Sequence, residues 1–151
     1  MKLREPMPEL TGSTLWINGE VTKDQLVGEK PSLLHFWSVS CHLCKAYMSN
    51  INNLRDQYKG KLNVVAVHMP RSEDDLDEGL IKLTAEKEGI TQPIFVDGEH
   101  KLSDTMDNRC VPAYYVFDKD GVLRHFQVGS GGIKMLERRV IRLINEAEKV
   151  E

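Results

Sequence analysis

The chain has 151 residues, 40% of them hydrophobic and 28% charged, with 20 Lys and Arg set against 23 Asp and Glu for a formal charge of -3. That length buries one sizeable core and is short for two, so residues 1–151 are read as a single domain, and the mixed charge gives no reason to expect nucleic acid as a partner. No apolar run approaches the span of a bilayer, and the stretch from Met1 to Pro8 lacks the apolar segment of a leader, which predicts a cytoplasmic protein with no membrane partner.

In chain order, Thr14 to Ile17 followed by Asn18 and Gly19 predicts an N-terminal β-hairpin. Thr22 to Val27 reads as a small helix, and Pro31 closes that prelude. Leu33 to Trp37 is apolar on both faces, as a central strand covered on each side must be. From Cys41 to Tyr58 the residues Leu43, Tyr47, Met48, Ile51, Leu54 and Tyr58 recur at three and four, one face of a helix that Gly60 stops. Leu62 to Val67 is a second buried strand, and Ser72 to Asp75 opens an acidic-first helix running to about Glu88. The acidic run Glu73 to Glu78 suits a solvated helix start. Pro93 to Asp97 gives a third strand and Leu102 to Asn108 a short helix. Ala113 to Asp118 and Val122 to Val128, joined through Asp120 and Gly121, form an antiparallel hairpin in which Tyr114 and Tyr115 take opposite faces, one core and one surface. Ile133, Leu136, Val140, Leu143, Ile144 and Ala147 line one face of a last helix. Alternating strands and helices imply an α/β fold, a central mixed sheet flanked by helices.

Three cysteines in a chain of this kind do not make a disulfide scaffold, so the close pair Cys41 and Cys44 is reactive or metal-binding. Its position favours reaction. Cys41 stands where a strand ends and a helix begins, and unpaired backbone N–H groups together with the helix dipole stabilise a thiolate there. Moving a thiol from about pKa 8.5 to about 7 raises the thiolate at neutral pH from a few per cent to roughly half. His42 and Lys45 add to that shift when charged. Cys44, three residues on, is placed to close a disulfide and act as the resolving thiol. A structural zinc site usually takes four ligands, and the sequence holds no second CxxC or CxxH pair.

The run Phe36, Trp37, Ser38, Val39, Ser40, Cys41, His42, Leu43, Cys44 and Lys45, with Val111-Pro112 ahead of a strand, resembles the thioredoxin superfamily. Segments Val64 to Asp77, Thr91 to Asp97 and Val111 to Asp118 extend the likeness over nearly the whole chain, and they resemble a small soluble oxidoreductase of the branch that includes the TlpA- and ResA-like proteins. This implies a thioredoxin fold with an N-terminal β-hairpin extension and an inserted helix and strand at about residues 72–97. It also implies a cis Pro112 against the cysteine pair, with the backbone of Val111 and Pro112 as the platform for an extended substrate. The activity implied is thiol-disulfide oxidoreduction, reducing protein disulfides with electrons from a thioredoxin reductase-like enzyme or a low-molecular-weight thiol, in a monomer that needs no cofactor or metal. The chain departs from the pattern at His35, where thioredoxins carry a buried Asp, at Tyr47 in place of a Glu, and at Ser49 in place of a helix-kinking proline.

A thiol peroxidase is the alternative enzyme, although Ser38 stands where peroxiredoxins place Thr. A non-enzymatic metal carrier would use Cys41 and Cys44 with Cys110 or His42. Trp37 serves packing or shields Cys44, His35 is a core residue or a proton acceptor, and Cys110 is either inert or a site of mixed-disulfide formation. His68, His100 and His125 lack companions at metal-ligand spacing, so core or solvated roles fit them.

Overall fold

The computed structural model describes residues 1–129 and 131–149. Its strands are β1 (Leu15–Ile17), β2 (Ser32–Trp37), β3 (Asn63–His68), β4 (Ile94–Val96), β5 (Ala113–Phe117) and β6 (Leu123–Val128). Its helices are α1 (Lys23–Leu26), α2 (His42–Gln57), α3 (Glu78–Lys87), α4 (Lys101–Thr105) and α5 (Ile133–Glu148). The strands form one mixed sheet in the order β1-β4-β3-β2-β5-β6. β2, β3 and β4 run parallel, while β1, β5 and β6 pair antiparallel to their neighbours.

β2 lies at the centre because every one of its residues is apolar or hydrogen-bonded, and all six are buried. Successive side chains therefore feed two cores. Leu34 and Phe36 join Val65, Val67, Phe95 and Phe117 on the face covered by α1, α4 and the N-terminal Met7 and Leu10. Leu33 joins Val64, Tyr114 and Val116 on the other face beneath α2 and α5, and Trp37 packs with Ile94, Met48 and Ile81 where α2 meets α3. Tyr114 and Tyr115 do point to opposite faces, but both are buried, since helix α5 covers one and the N-terminal layer the other.

Three local expectations change. The N-terminal hairpin does not form: Leu15, Trp16 and Ile17 pair with Val96, Phe95 and Ile94 of β4, and Trp16 meets Phe95 edge-on at 5.2 Å. The Asn18-Gly19 turn exists, with φ of 65° and 107°, yet the Asn18 amide donates to the carbonyls of Ile90 and Gln92, tying the turn to the approach to β4. The helix expected from Ser72 to Glu88 is broken, because Asp77 is extended and caps α3 by accepting from Leu80 N; a separate 3₁₀ turn covers Glu73–Leu76. At the start of α2 the apolar stripe is rotated away from the core, leaving Leu43 52% exposed. No helix among the described residues is long and apolar enough to cross a membrane.

Candidate active site

β2 ends at Trp37 and α2 begins at His42, so the chain turns through Ser38, Val39 and Ser40 before reaching Cys41. Cys41 is the N-cap of α2, in extended backbone, and its sulfur accepts from Cys44 N at 3.1 Å. This is the place where a serine or aspartate oxygen usually satisfies a helix's orphan N–H groups, here filled by sulfur. The two sulfurs are bonded, 2.35 Å apart, with Cα atoms 5.3 Å apart. Both cysteine residues are almost closed off from solvent, at 3% for Cys41 and 2% for Cys44, whereas His42 and Leu43 between them are exposed.

Trp37, Cys41 and Cys44 share one apolar cluster, and Val111 packs against it. Val111 precedes Pro112 through a cis peptide bond, and the Pro112 carbonyl accepts from Gly129 N at 2.8 Å. The structure thus brings Trp37, Cys41, Cys44 and Val111 together and sets Pro112 at the root of β5. Lys45 is half-buried on the first turn of α2. Cys110 is exposed, and among the described residues no three His, Cys, Asp or Glu side chains gather as a metal-binding group.

His35 sits elsewhere in the core. It is 1% exposed and its Nε2 lies 2.9 Å from the Gln92 amide nitrogen, whose oxygen accepts from Arg55 Nη1 at 2.7 Å. Burial, with the Arg55 charge second, pushes its pKa down to about 3, so the imidazole is neutral throughout the ordinary range.

The residues around the cysteine turn to which the sequence assigned no role there come from the end of β3 and the segment after it. Ser38 donates its hydroxyl to the Met69 carbonyl, and Val39 N donates to His68 Nε2 at 3.2 Å. His68 is fully buried, edge-on to Trp37 at 5.0 Å, and burial holds its pKa down at about 4 against the opposing pull of Asp75 and Asp97. Because Nε2 accepts from Val39, the ring proton is on Nδ1, which, like Trp37 Nε1, has no partner among the described residues. Ser40 donates to Asp75 at 2.8 Å, and Asp75 also accepts from Arg71 N at 2.8 Å. The Arg71 guanidinium donates to the Ser40 carbonyl at 2.5 Å and to its hydroxyl at 3.1 Å. Asp75, in the acidic run expected to be solvated, is only 2% exposed because these donors draw it inward. No local pattern in the sequence signals this arrangement, because Arg71 and Asp75 find their partner Ser40 across a long separation in the chain.

Comparison with known proteins agrees with this geometry. Residues 3–126 match the model of the AhpC/TSA family. The chain is 66% identical over 148 residues to the thiol-disulfide oxidoreductase YkuV of Bacillus subtilis, covering 98% of this chain and 100% of that protein. It is 30% identical over 145 residues to protein DipZ of Mycobacterium bovis, covering 93% of this chain and 21% of the much longer DipZ. Among solved structures, a thioredoxin-like protein in its oxidized form superposes with a TM-score of 0.90 at 66% identity, over 97% of this chain and 99% of that one. The thioredoxin-like superfamily protein SPOA0173 superposes with a TM-score of 0.81 at 20% identity, over 95% and 97%, a likeness of fold.

Proposed function

The chain belongs to the AhpC/TSA family and is a thiol-disulfide oxidoreductase of thioredoxin fold, and from that premise we propose that it reduces protein disulfides in the cytosol through Cys41 and Cys44. The observation that carries the reading is the Cys41 sulfur at the N-cap of α2, taking the Cys44 N–H while bonded to the Cys44 sulfur.

In the reduced protein the same N–H and the N-terminal end of α2 face a Cys41 thiolate. That thiolate attacks one sulfur of a substrate disulfide; the Cys41–substrate bond forms, and the other substrate sulfur leaves as a thiolate that takes up a proton. Cys44 then gives up its proton and attacks Cys41, forming the intramolecular disulfide and releasing the second substrate thiol. Two electrons and two protons pass from the dithiol to the substrate. A thioredoxin reductase-like flavoenzyme or a low-molecular-weight thiol returns them.

The low exposure of both cysteines restricts attack to disulfides presented closely, and an extended segment against Val111 and Pro112 provides that approach. His42 and Lys45 stand on the first turn of α2 beside the pair, and Trp37 packs with both cysteines. His35, neutral and already engaged with Gln92, takes no proton from Cys44 on this scheme.

The test is a redox titration of the pair in dithiothreitol and glutathione buffers, read by thiol trapping and Trp fluorescence. A two-electron transition at or below about -230 mV supports the reductase; one between about -120 and -180 mV makes the protein an oxidant or isomerase instead. Absence of any reversible transition would sink the reading and favour the metal carrier. The family match favours thiol peroxidase as the second enzymatic reading, and stoichiometric consumption of peroxide by the reduced protein would establish it.

A further inference from the structure

We propose that a cleft between the N-terminal segment around Arg4, β6 and α5 is a binding site for a phosphate oxyanion. The cleft has a volume of about 180 Å³ and is lined by Arg4, Arg124, His125, Arg139, Arg142 and Leu143. Four arginines line it in a chain whose formal charge is -3. Three separate elements deliver them. Arg139 and Arg142 are one turn apart on α5, and Arg124 and His125 are consecutive on β6. Arg4 is pinned by its own N–H to the Leu123 carbonyl at 2.8 Å, with a left-handed φ of 75°. A non-glycine residue there costs on the order of 1 kcal/mol, and such strain is retained where surrounding structure holds it.

The carboxylates that face the cleft do not balance it. Glu146 takes Arg124 through two bonds of 3.0 and 3.1 Å, and Asp118 Oδ2 lies 3.3 Å from the same guanidinium. Arg142 reaches Glu146 only at 3.9 Å. Arg4 and Arg139 form no ion pair among the described residues. His125 turns its Nε2 to Gln127 Oε1 at 2.7 Å. Four cations against two anions leave an excess of two positive charges on planar, multi-donor groups, which matches a tetrahedral dianion in both charge and hydrogen-bonding capacity. The site is separate from the redox centre. Val128 pairs with Ala113 beside Pro112, whereas Arg124 lies four residues back along β6, roughly 14 Å away at ~3.4 Å per residue.

The test uses the full oxidised chain, with inorganic phosphate and glycerol 3-phosphate as probes and sodium chloride at equal ionic strength as the control. At ~10 mM, phosphate is expected to raise Tm by about 3 °C in a saturable manner while chloride does not. Arg139→Gln, on an exposed helix face, and Arg4→Gln are each expected to weaken binding about tenfold, with insulin-disulfide reduction unchanged; Arg138→Gln, outside the cleft, is expected to bind as the parent does. Equal affinity for both probes identifies free phosphate as sufficient, and tighter binding of the ester identifies a phosphorylated metabolite. A Tm shift no larger than in chloride, or one that Arg139→Gln and Arg4→Gln both retain in full, overturns the proposal.

Discussion

Two walls enclose the Cys41 sulfur, and they are made differently. One is contiguous: Trp37 to Lys45 carries the strand end, the nucleophile, the resolving thiol and the cap in nine residues. The other is brought from some thirty residues away, where His68, Met69, Arg71 and Asp75 hold Val39, Ser38 and Ser40 by backbone and hydroxyl groups. The first wall supplies the reacting atoms. The second contributes no reacting atom and fixes the turn that presents them, with a neutral histidine and a buried carboxylate as the fixed points. Chemistry and its positioning are thus separable in this fold, which makes the division testable by substitution.

The largest effect belongs to the first wall. Cys41→Ser is expected to lower insulin-disulfide reduction by about 10³-fold or more with the urea midpoint of the reduced parent retained, while Cys44→Ser accumulates a mixed disulfide visible on non-reducing gels. The second wall, together with the separate core residue His35, is expected to show in stability. His35 and His68 have folded pKa values lowered to about 3 and about 4, so only the unfolded chain gains protons as pH falls below 6.5; the stabilisation is complete above that pH and is lost on acidification. Urea unfolding is expected to show a loss of roughly 2 to 3 kcal/mol between about pH 7 and pH 5.5, and an unchanged stability over that window would contradict buried neutral rings. Asp75→Ala removes the acceptor of Ser40 and Arg71 N and is expected to cost about 2 kcal/mol in the same assay. Arg71→Ala is the mildest. Its exposed guanidinium contributes under about 1 kcal/mol, but loosening the Ser40 carbonyl is expected to slow disulfide attack several-fold, with partial recovery in Arg71→Lys. Equal losses of rate and stability in that variant would merge the two walls into one.

The same division governs what the sequence reveals. The strand-to-helix boundary, the cysteine pair and the helix face of Met48, Ile51 and Leu54 are legible because each depends on neighbours in the chain. Leu43 breaks its periodic expectation because the buried face of α2 runs through Cys44, Met48, Ile51 and Leu54 and leaves Leu43 outside it. The Asn18-Gly19 turn reads as a hairpin from local signals, but β1 finds a better partner in β4, where Trp16 meets Phe95. His68 and Asp75 were assigned ordinary core or solvated roles, since their partners, Val39 N and Ser40, are specified only when β3 docks beside β2. Burial of both Tyr114 and Tyr115 likewise depends on layers covering both faces of β5.

The pinned N-terminal segment has a consequence for the molecule's behaviour in concentrated solution. β6 is an outer strand of the sheet, and its outward N–H and C=O groups would template another chain. Residues 4–7 occupy the beginning of that row: Arg4 N and Glu5 O bond to Leu123, Met7 N bonds to Gly121 O, and Pro6 bridges Val122. Proline at the bridge offers no donor of its own. Among the described residues no backbone group bonds to the outer edge of the strand's far end, where Phe126 and Val128 are exposed, so trimming the first seven residues would lengthen that open, apolar border and favour strand-to-strand aggregation.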